Sequence, residues 1–122
     1  MKRIFLAAAL LLLSIPSLAA TCKISEYVVI VTDPEGRWVP VAEEPALTTQ
    51  TVTYTTSTQS AAFNASPRTR FVRIVCDAKA HLVFGTNPTA TANSPYVAAD
   101  TPEYFGLALG GTWKVAFYDG SS

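Results

Sequence analysis

The chain has 122 residues, nine basic and nine acidic side chains, and a hydrophobic content of 49%. This length provides for one domain core and not for two. The balanced charge excludes the basic surface typical of nucleic-acid binding, and the hydrophobic content excludes a disordered polar chain.

The first twenty residues have the pattern of an export signal. Lys2 and Arg3 precede an unbroken apolar run at residues 4–13, and the segment ends in the small residues Ala19 and Ala20. This order is typical of a secretory signal peptide. The apolar run is too short for a membrane-spanning helix, which needs roughly 20 residues. We therefore predict cleavage after Ala19 or Ala20, with membrane contact only through the signal.

Removal of a signal peptide at residues 1–20 leaves one domain, residues 21–122, with seven basic and nine acidic side chains. Cys22 and Cys76 are its two cysteines. An even number of cysteines in an exported chain is compatible with one disulfide, and two separate thiols are the alternative. A lipidated Cys22 is a third reading, although the leucine expected three residues before it is missing.

Strand patterns dominate this domain. Short runs of Val, Thr, Ile, Tyr and Phe alternate with Pro, Gly, Asn and Asp, whereas helical periodicity is nearly absent. We predict an all-β fold, a single jelly-roll-like β-sandwich of about seven to nine short antiparallel strands. The predicted strands cover residues 24–32, 37–41, 47–60, 61–63, 70–76, 81–85, 103–107 and 112–118.

The first predicted hairpin turns at residues 33–36, whose Asp-Pro-Glu-Gly sequence is typical of a type I turn. A four-residue turn places Thr32 opposite Arg37 and Val31 opposite Trp38. Trp38 should then share a face with Val31.

The second predicted hairpin pairs residues 70–76 with residues 81–85. Its register places Cys76 opposite His81, and its alternation places Ile74 in the core with Cys76. The opposite face of the first strand carries Phe71, Arg73 and Val75 and is too apolar to be fully solvated.

The third predicted hairpin joins residues 103–107 to residues 112–118, with Trp113, Val115 and Phe117 facing inward. Residues 86–102 form a long connection before it. A loop of that length in a compact domain is usually functional or packed on itself.

A resemblance adds to these patterns. The turn and strand segments of the second half resemble small tailed-bacteriophage proteins that are described as virion-associated, and the likeness covers about half of the mature chain. The resemblance implies a β-rich, non-enzymatic protein that assembles into particles. The segments that carry it are residues 63–65, 69–77, 84–90, 101–105 and 114–116.

Arginines and tyrosines are the candidate partner-binding residues. Three arginines within six residues could grip an anionic sugar or a partner's carboxylates, and salt bridges to Asp77 or Glu103 are the alternative. Exposed aromatic edges could contact a partner as well. The candidates are Arg68, Arg70, Arg73, Tyr96, Tyr104 and Tyr118.

Catalytic and metal-binding patterns are weak. His81 is the only histidine, and a metal site needs three or four ligands. Glu43 and Glu44 are adjacent and point opposite ways on an extended chain, so they favour a solvated loop. We predict no enzyme activity, no metal and no cofactor.

The function predicted from the sequence is a non-enzymatic phage or prophage structural or accessory interaction module. Its partners would be further copies of itself and a phage structural protein, and the resemblance implies a trimer. The alternative is an exported bacterial periplasmic or surface domain that binds a protein or a glycan. The protein is expected outside the cytoplasm, or in a virion if the signal is not used.

Production in a bacterial host tests the predicted signal. Because the charged, apolar and small-residue segments stand in signal order, N-terminal sequencing should find a chain that begins at Ala20 or Thr21. Recovery of soluble chains that begin at Met1 would contradict this prediction.

Overall fold

The computed structural model describes residues 19–121, so residues 1–18 of the predicted signal peptide lie outside the described part. Residues 19–121 contain ten strands and no helix. This part of the chain therefore has no helix long and apolar enough to cross a membrane. The strands are β1 (Ala20–Tyr27), β2 (Ile30–Thr32), β3 (Trp38–Ala42), β4 (Thr48–Tyr54), β5 (Thr58–Gln59), β6 (Phe71–Cys76), β7 (Ala80–Gly85), β8 (Tyr96–Val97), β9 (Glu103–Gly106) and β10 (Lys114–Tyr118).

Eight of these strands form two antiparallel four-stranded sheets. Sheet I has the order β4-β1-β6-β9, and sheet II has the order β5-β10-β7-β8. The remaining two strands, β2 and β3, form a separate small sheet. The all-β sandwich predicted from the sequence is confirmed, with ten strands in place of seven to nine.

The strand order is that of an eight-stranded jelly roll in which the last strand comes first in the sequence. The strands from β4 to β10 occupy the first seven positions of the jelly roll in sequence order, and most connections cross from one sheet to the other. The last place, between β4 and β6 in sheet I, is taken by β1. The N-terminal strand of the domain is therefore a central strand.

The core lies between the inner faces of the two sheets. Sheet I contributes alternate residues of β1, β4 and β6, while sheet II contributes residues of β7, β8 and β10. The predicted inward positions of β6 and β10 are confirmed, because Ile74, Val115 and Phe117 have no exposed surface. Tyr54 and Phe117 join the sheets, with ring centroids 5.7 Å apart.

A disulfide connects the two central strands of sheet I. Cys22 of β1 lies directly opposite Cys76 of β6, and the two residues form a bond that closes a sequence separation of 54 residues. Both side chains are buried in the core. Of the alternatives left open by the sequence, the disulfide is the one found.

The second predicted hairpin is wrong in its pairing. Strands β6 and β7 follow each other in sequence but lie in opposite sheets. β6 pairs with β1 and β9, so Cys76 faces Cys22 and not His81. His81 lies opposite Tyr118 of β10. The turn at residues 77–79 crosses between the sheets.

The third predicted hairpin is wrong for the same reason. β9 pairs with β6 in sheet I, while β10 pairs with β5 and β7 in sheet II. β10 is thus an interior strand and offers no free edge. The predicted strand at residues 61–63 is also absent, although Phe63 is buried and its N–H bonds the Trp113 carbonyl at 2.9 Å.

Loss of the disulfide should destabilise the domain strongly. Cys22→Ala combined with Cys76→Ala frees a loop whose closure contributes about 4 kcal/mol in the chain-entropy model. Equilibrium unfolding in urea should show this loss relative to the oxidised protein, and the reduced wild type is the matched control. A loss below about 1 kcal/mol, within the range of ordinary substitutions, would contradict the prediction.

Candidate functional site

A two-stranded arm leaves the sandwich where β1 ends. The arm comprises residues 29–43 and includes β2 and β3. Its base is closed by a 3.3 Å hydrogen bond from the Glu43 N–H to the Val29 carbonyl. The sequence predicts one strand over residues 24–32, whereas in the structure this strand is broken at Val28 and Val29. This break directs the arm away from sheet I.

The tip of the arm is organised by Asp33. Its carboxylate accepts hydrogen bonds from the backbone N–H groups of Glu35 and Arg37 and forms a 2.7 Å ion pair with the Arg37 guanidinium. The hydrogen bond from the Arg37 amide is the largest of the effects that lower the pKa of Asp33. The tip is therefore held by a carboxylate that stays ionised at lower pH than an ordinary aspartate does.

The register of the arm differs from the predicted one by one residue. Gly36 has a positive φ of 80°, and its N–H bonds the Asp33 carbonyl at 2.9 Å, as in a turn followed by a left-handed residue. The loop thus includes Arg37, so Trp38 lies opposite Thr32 and not opposite Val31.

An open groove lies between the arm and the end of sheet I. It has a volume of about 710 Å³. Its apolar lining comes from the segment where the arm departs, from Phe71 at the start of β6 and from Trp38, whose surface is 68% exposed. Two arginines complete it. The lining residues are Val28, Val29, Ile30, Trp38, Arg68, Arg70 and Phe71.

The loop that carries these arginines is tied to a buried carboxylate. Glu26, 1% exposed, accepts hydrogen bonds through one oxygen from the Asn64 N–H at 2.9 Å and from the Thr69 hydroxyl at 2.7 Å. The Arg68 guanidinium donates to the Gly111 carbonyl at 3.0 Å. These bonds fix the backbone on both sides of Arg68, so the groove wall is preorganised.

Arg68 and Arg70 have no carboxylate partner among residues 19–121, where the ion pairs involve Arg37 and Arg73. The side chain of Arg70 is exposed. The groove therefore combines an apolar lining with two positive charges that no acidic side chain of the described residues neutralises.

Arg73 belongs to a separate cluster on the outer face of sheet I. Its guanidinium lies 5.8 Å from the Tyr27 ring centroid and 3.7 Å from a Glu44 oxygen, which accepts the Tyr27 hydroxyl at 2.7 Å. Tyr104 lies beside Arg73 in the register and raises the pKa of that guanidinium. The salt bridge is thus made to Glu44 and not to Asp77 or Glu103.

This cluster also covers the apolar outer face of β6. Tyr27 stacks on Phe71 with centroids 5.2 Å apart, and Tyr104 lies 6.4 Å from the same ring. Burial is the main cause that raises the pKa of Tyr27. The cover expected for this face is therefore supplied mainly by the chain itself.

Tyr96 and Tyr118 lie in sheet II, on either side of His81. Their ring centroids are 5.8 Å and 6.3 Å from the histidine ring, and the Lys79 ammonium lies 4.0 Å from the Tyr96 centroid. The His81 Nδ1 atom is 2.8 Å from the Ser94 carbonyl. Within the described residues, no three His, Cys, Asp or Glu side chains are placed to hold a metal ion.

The structure thus divides the six candidate residues into three places. Arg68 and Arg70 line the groove, Arg73 and Tyr104 lie on the outer face of sheet I, and the other two tyrosines flank His81. Trp38 was not among the site residues predicted from the sequence. Its signal was a large aromatic residue in a short strand interrupted by Pro40, but only the departure of the arm shows that it faces solvent.

Asp33 should control the order of the tip that carries Trp38. Since its folded-state pKa lies below the ordinary 3.8, its stabilising bonds are present above that pH and are lost as the pH falls through the folded-state value. In Asp33→Ala, NMR relaxation should therefore show a more mobile Trp38 indole at neutral pH. The mobility of this indole should not increase further as the pH falls through the range in which Asp33 is protonated. Glu35→Ala is the control in the same turn. Unchanged Trp38 relaxation in Asp33→Ala would contradict this.

Comparison of the chain with family models, with curated proteins and with solved structures finds no match.

Proposed function

We propose that the chain is a non-enzymatic protein-binding module whose contact surface is the groove together with the arm. The observation that carries this proposal is an exposed Trp38 that lines one groove with two arginines, neither of which has an acidic partner in the part of the chain that the structure describes. Tryptophan and arginine dominate the binding energy of protein interfaces. The partner surface would be apolar with acidic side chains that pair with Arg68 and Arg70.

The surface around the groove supports a protein partner over a small ligand. In addition to Val29 and Trp38 of the groove, Val31 and Val41 are exposed on the arm outside the groove lining. Soluble monomers rarely expose large contiguous apolar patches. An apolar centre with flanking charges is the usual composition of a protein interface.

Two observations support a working place outside the cytoplasm. The N-terminal pattern predicts export, and the disulfide between Cys22 and Cys76 is consistent with an oxidising compartment. A bacterial periplasmic or surface domain, one that binds a protein or a glycan, is the second candidate on this ground. The resemblance to phage virion proteins supports a phage or prophage structural or accessory role. The identity of the partner decides between the two.

Site-specific photo-crosslinking in the organism that makes the protein tests the groove. A photoreactive phenylalanine analogue at position 38 should give one discrete adduct with another protein, because Trp38 would be central in the contact. The same analogue at Leu109 is the control, since Leu109 is also 68% exposed and lies outside the groove. Mass spectrometry of the adduct identifies the partner.

Charge reversal at the groove provides the second part of this experiment. Arg70→Glu should abolish the adduct at position 38 by repelling the partner's carboxylates, whereas Lys23→Glu, an exposed change outside the groove, should leave it intact. Equal adducts at positions 38 and 109, or an adduct that survives Arg70→Glu, would overturn the proposal.

A further inference from the structure

The four outer strands of the two sheets differ in how well their edges are protected. The outer strands are β4 and β9 in sheet I and β5 and β8 in sheet II. An unprotected edge strand presents unpaired N–H and C=O groups to other chains, and proteins avoid this with short strands, charge, proline or a covering segment.

Three of the edges carry such protection. β5 and β8 have only two residues each. β9 has four residues, begins with the charged Glu103 directly after Pro102, and ends at Gly106. The chain beyond β5 is also covered, because the Gln50 side-chain amide bonds both the N–H and the carbonyl of Ala61.

The edge of β4 is protected neither by short length nor by charge or proline. This strand is seven residues long and has the sequence TTQTVTY, without charge, proline or glycine. It pairs with β1 on one side, and no strand among residues 19–121 lies on its other side. Thr49, Thr51 and Thr53 point outward and are exposed.

We propose that β4 pairs antiparallel with β4 of a second copy of this chain, which joins two sheets I into one eight-stranded sheet. The two-fold axis would pass through Thr51, the central residue of the strand. When the axis passes through a residue, the outward side chains of one copy of β4 lie opposite the outward side chains of the other copy. When that residue is the central one, all seven residues of the strand are paired. Thr51 then faces its own copy, and Thr49 faces Thr53.

The composition of β4 favours a second copy over an unlike strand. In a two-fold pair, every residue near the axis faces an identical or nearby residue, so any charge there would meet its like and destabilise the contact. β4 has no charge. Its outward residues are all threonines, which form favourable cross-strand pairs. The two-fold dimer differs from the trimer that the phage resemblance implies.

Light scattering at micromolar concentration gives the first test. The mature wild type should have the mass of two chains, whereas Thr51→Lys should have the mass of one, with an unchanged circular dichroism spectrum. Thr89→Lys adds the same charge at an exposed position outside the strands and should remain dimeric. A monomeric wild type or a dimeric Thr51→Lys would overturn the proposal.

Disulfide trapping gives the second test and checks the register. Thr51→Cys should form an intermolecular disulfide under mild oxidation, because directly opposed Cβ atoms lie about 5 Å apart. Thr49→Cys and Thr53→Cys alone should not, since each residue is displaced from its own copy by about 13 Å along the strand. A mixture of these last two variants should cross-link. Equal cross-linking of all three single variants would refute the pairing.

This contact surface is separate from the groove, and either proposal can fail without the other. A dimer that gives no adduct at position 38 would remove the groove proposal alone.

Discussion

The central position of β1 is the constraint on which the rest of the structure depends. This strand lies between β4 and β6, pairs with both over most of its length and is bonded to β6 through the disulfide. Without it, the two halves of sheet I would each have an open edge at the middle of the sheet. Because β1 is the first strand of the described residues, sheet I is complete only when this strand has paired with segments far along the sequence.

The same strand also positions the candidate site. β1 ends in two buried residues whose side chains lie on opposite faces of sheet I. Glu26 points inward and binds the loop before β6, while Tyr27 points outward and stacks on Phe71. A buried carboxylate is costly unless hydrogen bonds satisfy it, and here it is satisfied by the loop that carries Arg68. The hydrogen bonds that offset the cost of burying Glu26 also order the groove wall, and the arm departs directly after Glu26 and Tyr27.

The sequence predicts the faces of the strands well and their partners poorly. Alternation along β6 and β10 correctly identifies Ile74, Val115 and Phe117 as core residues, since burial depends only on which side of a strand a residue occupies. The partner of a strand depends on contacts distant in sequence. β6 and β7 are neighbours in the chain with matching patterns, yet β6 pairs with β1, where Cys76 meets Cys22. Alternation is the same for a hairpin and for a crossing between sheets.

The candidate site was predicted only in part, again because its geometry depends on contacts distant in sequence. The arginine cluster is visible in the sequence, but Arg73 turns to Glu44 while Arg68 and Arg70 line the groove. The local sequence does not distinguish Arg73 from the other two arginines, because the ion pair of Arg73 with Glu44 depends on the loop that follows the arm. Trp38 was missed because residues 24–32 have the pattern of one continuous strand. The break at Val28 and Val29 leaves no mark in a run of apolar residues.

The two proposed surfaces have a geometric relation that follows from the fold. The arm joins the sandwich just before β4, since the Leu47 N–H bonds the Glu26 carbonyl and β4 begins at Thr48. Pairing of β4 about Thr51 runs the two strands in opposite directions, so the two arms would project from opposite ends of the joined sheet. Each arm would then reach a separate copy of the partner. On a surface or particle that repeats the partner at a matching spacing, the second contact would form at high effective concentration and strengthen binding without any new interface.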